Sequence, residues 1–247
     1  MYSSDKPISV KETGGEDKSI IEHLEELRET LIKCFLSIAF VMPFAFYFSP
    51  KVLNFLTASL TQNRQLYYFA PMEVFLLQLK LALLISLTVS FPYIAKQLWD
   101  FILPALYDNE KKFIKKIVIS SSVLFASGVI FCLAVILPFI MNFALSFSEG
   151  NTQALLGISN VVNLALNLAF VFGLMFQIPI ITHLLIKWGI VSYETAASKR
   201  RYAVIILLAA AALLTPPDII SQILLFAPSY MLFELGLILS RKEKNKK

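Results

Sequence analysis

The chain is short of charge, cysteine and histidine, and each shortage removes a class of protein. Only 16% of its 247 residues are Asp, Glu, Lys or Arg, against about 25% in an ordinary soluble domain. With 57% hydrophobic residues, a soluble fold of this size has too little core to hide its apolar surface. The two cysteines, Cys34 and Cys132, lie 98 residues apart in apolar runs. They make no disulfide framework and read as buried free thiols. His23 and His183 are the whole histidine content, too few and too distant for zinc-type spacing. No HExxH, GxSxG or phosphate-binding Gly-rich loop occurs. The expectation is a protein that is not an enzyme and that calls for no cofactor or metal. The first 19 residues are polar and mixed in charge, so no apolar core of a cleavable signal peptide is visible.

What is present is long apolar runs. Thirty-two uncharged residues separate Lys116 from Glu149, and 37 separate Glu149 from Lys187, where a helix needs only about 20 residues to span the hydrocarbon layer. The sequence predicts an all-α, polytopic membrane protein, because lipid leaves no water to satisfy an open backbone. Six transmembrane helices are expected near 31–49, 73–95, 117–141, 161–186, 202–215 and 219–239. They form one domain over 20–240, with a flexible tail at 1–19 and a basic tail at 241–247. The fifth is short, since Ala203 to Leu214 is all that precedes Pro216-Pro217; such a helix thins the bilayer or hides against its neighbours.

The net charge of +5 would invite nucleic acid in a soluble protein; in a membrane protein it reports topology. Nineteen of the Lys and Arg residues fall in the N-terminal region, the 96–116 and 187–201 loops and the C-terminal tail, against only Lys51 and Arg64 in the alternate loops. Both termini are therefore expected in the cytoplasm.

Three groups of residues carry candidate chemistry. Ile20–Leu31 (IIEHLEELRETL) reads as an amphipathic helix before the first span, with Ile20, Leu24, Leu27 and Leu31 on one stripe and Glu22, Glu25, Glu26 and Glu29 on the other. A surface helix normally presents Lys and Arg to anionic lipid; four carboxylates favour a basic ligand instead, although a merely solvated face has the same pattern. The 96–116 loop is dense in apolar residues, including Trp99 and Phe101, and carries Glu110 before four lysines. That mixture suits an extended ligand with a positive charge and apolar side chains, or a simple interfacial anchor. Within the spans lie Lys80, Gln177 and a polar face of the sixth helix, Asp218, Ser221, Gln222 and Ser229. Such groups face protein, water or a partner helix, and Asp218 also suits a helix N-cap.

At these residues the chain resembles the TatC family, the multispanning component of the twin-arginine protein translocase. The likeness rests on Glu22-His23-Leu24-Glu25-Glu26-Leu27-Arg28, Phe101-Ile102-Leu103-Pro104-Ala105-Leu106-Tyr107-Asp108-Asn109-Glu110, Phe172-Gly173 with Phe176-Gln177-Ile178-Pro179, and Leu214-Thr215-Pro216-Pro217-Asp218 with Ser221-Gln222, in one order. The resemblance implies short fifth and sixth helices and a receptor for signal peptides with paired arginines. That receptor works in a machine of the bacterial inner membrane that exports folded proteins on the proton-motive force. It implies that Glu26 and Glu110 bind the arginine pair and that Phe101 and Arg28 belong to the same site. Gln177, Gln222 and Asp218 become contacts for partner helices. The implied partners are the signal peptides, single-span TatA and TatB subunits, further TatC copies and membrane lipid, with no nucleic acid.

Two positions depart from the family pattern. Gln177 stands where most relatives have Glu, which removes an ionisable group, and Ala58 stands where many have Pro in the first outer loop, which is expected to loosen that loop. A small-solute transporter or channel is the alternative with the same topology. It needs a polar path across the bilayer, and Lys80, Gln177 and Asp218 are sparse for one.

Overall fold

The computed structural model describes residues 15–61, 66–102, 111–146, 156–214 and 219–244. Helix α1 runs from Gly15 to Thr61 without a break. The amphipathic segment is thus no separate surface helix but the first turns of one rod about 70 Å long. Nothing between Gly15 and Pro43 interrupts it, and a strong helix-forming sequence continues its hydrogen-bond ladder where no Pro or Gly intervenes. Ala58 also lies inside this helix, so the outer loop that it was expected to loosen begins later, after Thr61. Alanine keeps the N–H that proline would have lost.

A two-residue strand, β1 (Leu66–Tyr67), leads to α2 (Glu73–Ile102). Helices α3 (Lys111–Phe131) and α4 (Leu137–Ser146) form one rod through a π-helical stretch at Cys132–Ile136, where the Leu137 N–H reaches back to the Cys132 carbonyl. Pro138 follows immediately and has no N–H for the Ala134 carbonyl, which accounts for the wider turn just before it. Strand β2 (Leu156–Gly157) opens α5 (Ile158–Met175) and pairs in parallel with β1, Leu66 beside Leu156 and Tyr67 beside Gly157.

Helix α6 (Ile178–Lys187) continues α5 after a tight turn in which the Gln177 N–H bonds the Leu174 carbonyl. Pro179 sits in the first turn of α6 and cannot donate to Met175, so the α-helical ladder stops there and resumes. A short α7 (Tyr193–Ser198), capped by Ser192 accepting from the Thr195 N–H, precedes α8 (Arg200–Leu214) and α9 (Ile219–Lys244).

Among the described residues, five helical runs are long and apolar enough to cross a membrane. The expected fifth span corresponds to α8, whose 15 residues rise about 22 Å, short of the hydrocarbon thickness of about 30 Å. The last run, Gln222–Arg241, is the shortest of the five at 20 residues.

Helix α2 packs on α1, α3 and α5, α3 packs on α5, and α9 joins α6 to α8. The core centres on the fully buried rings Phe125 and Phe172, with Phe91 stacked on Phe125 at 4.0 Å. Helices α3 and α5 approach closely because Gly128 and Gly173 face each other's helix. A Cβ at Gly128 would lie 2.7 Å from the Phe172 carbonyl oxygen, and one at Gly173 would lie 2.7 Å from the Phe125 ring. Small residues at such contacts are how membrane helices gain van der Waals packing without a hydrophobic drive. Helix α1 is the outlier, with only 11% of its most apolar window buried.

Candidate functional site: the basic end of the bundle

The N-terminal turns of α1 meet the C-terminal turns of α2 at the end of the bundle where Lys and Arg collect. His23 stacks on Phe101 with ring centroids 4.5 Å apart and planes 16° from parallel. The same imidazole lies 3.8 Å from the Glu26 carboxylate, one turn along α1. Glu26 therefore lies near Phe101 with one ring between them, its side chain 64% exposed. Of the neighbouring acids, Glu29 pairs with Lys33 at 3.1 Å. Glu22, Glu25 and Glu26 have no Lys or Arg partner among the described residues. This is an exposed negative tip on a rigid rod.

Arg28 is exposed and pairs with none of these carboxylates among the described residues. It follows Glu26 by two positions, about 200° around the helix, so the two side chains leave on nearly opposite sides. Glu110 lies outside the described residues. Below the tip, on the next turns of α1, Lys33, Leu36, Ser37, Phe40 and Val41 face Val89, Ser90 and Tyr93 of α2 across a groove of about 440 Å³. Its floor is tied by the Ser90 hydroxyl donating to the Ser37 carbonyl at 3.1 Å.

Two of the polar residues expected at partner helices make hydrogen bonds within the chain. The Gln177 amide donates to the Ser121 carbonyl of α3 at 3.1 Å, and the Ser121 hydroxyl accepts from the Trp99 indole at 3.3 Å. The glutamine at the α5–α6 turn is thereby linked through α3 to the end of α2, two residues from Phe101. Gln222 donates to the Leu208 carbonyl at 3.2 Å, joining α9 to α8. Asp218 lies outside the described residues.

Two clusters had no sequence signal that a single chain offers. Arg200 forks onto Glu234, Nε to Oε1 at 2.8 Å and a second guanidinium nitrogen to Oε2 at 3.2 Å, and the Tyr230 hydroxyl donates to the same carboxylate at 3.0 Å. At the opposite end of the bundle, Glu73 accepts from the N–H groups of Phe69 at 2.7 Å, Ala70 at 3.2 Å and Ser159 at 3.1 Å. That single carboxylate satisfies amides at the start of both α2 and α5, 86 residues apart. Loop closure of that length leaves no local pattern to read. No three His, Cys, Asp or Glu side chains converge as a metal site among the described residues.

A mostly apolar helical bundle with several runs long enough to cross a membrane and a charged end defines a polytopic membrane protein. The profile of the family described as Sec-independent protein translocase protein (TatC) matches residues 22–228. TatC of Haemophilus influenzae is 34% identical over 237 residues, covering 92% of this chain and 90% of that protein. TatC of Escherichia coli K12 is 32% identical over 238 residues, covering 95% and 91%. A crystal structure of the twin arginine translocase receptor TatC superposes with a TM-score of 0.80 at 29% identity, over 88% of this chain and 99% of that one. A second crystal structure of that receptor gives 0.79 at 30% identity. The chain belongs to the TatC family and is a component of the twin-arginine protein translocase.

Proposed function

We propose that this chain binds Arg-Arg signal peptides at its basic end and organises TatA- and TatB-type subunits and further copies of itself for export of folded proteins. The observation that carries the reading is the Glu26 carboxylate, free of any Lys or Arg partner among the described residues and next to the His23–Phe101 stack. A guanidinium forks onto a carboxylate through two parallel charge-assisted bonds, which a lysine ammonium cannot match in geometry. Glu110 supplies the second carboxylate and Phe101 an apolar contact beside the arginine pair. The groove from Lys33 to Tyr93 lies directly below the tip and suits the apolar stretch of the same ligand. Arg28, on the far side of α1, tunes the field of the acidic tip and does not touch the ligand.

In this reading the basic end and both termini face the cytoplasm of a bacterial inner membrane, and the proton-motive force drives transport without catalysis by this chain. The sparsely buried α1 offers one flank to partner helices, and the polar positions Gln177, Gln222 and Asp218 mark further contacts, with Gln222 keeping its side-chain oxygen for a partner. The test is crosslinking of a twin-arginine peptide to the protein in membrane vesicles, beside a Lys-Lys peptide and the Glu26→Ala, Glu110→Ala double variant. Each lost charge-assisted contact weakens binding about ten- to a hundredfold. Equal capture in all three cases would reduce the acidic tip to a solvated surface.

A further inference from the structure

Lys80 is a cation on the wrong end of the molecule. It sits on an otherwise apolar stripe of α2, flanked by exposed Leu76, Leu79 and Leu83 at helical spacing. Its ammonium donates to the Asn163 side-chain oxygen of α5 at 2.8 Å, across 83 residues of sequence. That acceptor is neutral, and Lys80 has no carboxylate partner among the described residues. The nearest acid along the same helix is Glu73, two turns away, and its oxygens are already engaged by three backbone N–H groups. Asn160 and Asn167 flank Asn163 on one stripe of α5, both exposed. An ammonium and one amide therefore bridge α2 and α5, with two further amides exposed along α5, in the half of the bundle opposite the acidic tip.

The depth of this seam identifies its ligand. Helix α2 has 30 residues and rises about 45 Å, some 15 Å more than the hydrocarbon layer. Lys80 is seven residues, about 10 Å, from the start of α2 at Glu73, in the outer quarter of the rod and nearer the interface than the bilayer centre. Asn163 stands at the same level as Lys80, since the hydrogen bond joins the two. Side chains in a helix lean toward its N-terminus, which for α2 is this nearer end, so the lysine carries its ammonium up to the glycerol–phosphate layer. A phosphodiester offers only acceptors, matching the remaining ammonium protons and the Asn163 amide N–H groups, while the leucines flank its acyl chains.

We propose that Lys80 and Asn163 form a binding site for the phosphate of an anionic phospholipid in the leaflet opposite the basic end. The site is independent of the signal-peptide reading. The probe is phosphatidylglycerol, offered with phosphatidylcholine in equal amounts to the purified full chain, with retained lipid counted by native mass spectrometry. The native protein and Lys80→Arg are expected to retain phosphatidylglycerol about fivefold over phosphatidylcholine. Lys80→Gln is expected to bind both equally, and Lys51→Gln, at another exposed lysine of the same end, to behave as native. Thermal stability in detergent distinguishes a lost site from a lost fold. An unchanged preference in Lys80→Gln, or no preference in the native chain, overturns the proposal. So does a photocrosslinker at position 80 that captures a polypeptide in membranes, which would assign the ammonium to a carboxylate of a partner helix.

Discussion

The Glu73 carboxylate reaches two loops at once, and its importance is set by what its removal leaves behind. Without it, the N–H groups of Phe69, Ala70 and Ser159 lose their acceptor at the ends of two helices. Glu73→Ala is therefore expected to destabilise the protein by about 1–3 kcal/mol, read as a lower melting temperature in detergent and faster amide exchange at Phe69 and Ser159. Glu73→Gln keeps one acceptor oxygen and is expected to lose less. Gln177→Leu removes a hydrogen bond between membrane helices, and such bonds contribute about 0.6 kcal/mol on average and rarely above 1.7. A small shift in melting temperature, with the Trp99–Ser121 contact loosened in indole fluorescence, is the expected outcome. The acidic tip was legible residue by residue, because four glutamates against a leucine stripe is a local pattern. The role of His23 was not, because stacking depends on where α2 ends.

At the scale of elements, the prolines show how far a sequence goes. Pro43, Pro92, Pro138, Pro179 and Pro228 are equally visible in the chain. Only around Pro138 and Pro179 does the ladder change, into a π-helical stretch and a tight turn, whereas Pro43, Pro92 and Pro228 lie inside uninterrupted helices. Which proline breaks its helix depends on neighbours that re-satisfy the freed carbonyls, and neighbours are a tertiary property. The close approach of α3 and α5 yields a graded prediction. Gly128→Ala drives a methyl against a backbone carbonyl, and Gly173→Ala drives one against the Phe125 ring. Overpacking costs about 1–3 kcal/mol. Gly128→Ala is expected at the upper end, since a carbonyl within a helix cannot rotate away, with the order read from unfolding midpoints in denaturing detergent.

For the whole molecule, apolar runs carried the class, because they follow from the bilayer as solvent and need no knowledge of packing; charge asymmetry supplies the expected orientation. The order in which helices pack, the β1–β2 pairing and the Arg200–Glu234 fork join segments far apart in sequence, and periodicity is blind to them. The orientation itself is testable. In a background with Cys34 and Cys132 replaced by Ala, a cysteine at exposed Tyr68 is expected to react with an impermeant maleimide from outside intact cells. One at exposed Tyr202, at the basic end, is expected to react only after permeabilisation. The reverse pattern would invert the topology and move the acidic tip to the wrong compartment for a cytoplasmic ligand.

The two ties at the far rim, strand β1 on strand β2 and Glu73 on Ser159, have a mechanical consequence. They pin α2 to α5 at one extremity, while at the other the Trp99–Ser121 hydrogen bond ties α2 to α3. A helix of 30 residues is a lever about 45 Å long, so a five-degree tilt about the pinned end would move its other end by about 4 Å and strain the Trp99–Ser121 bond. The tip that moves is the one bearing Phe101, and the ring of His23 rides on it. A ligand gripping Glu26 and Phe101 together would hold that lever still, and one that lets go would release it.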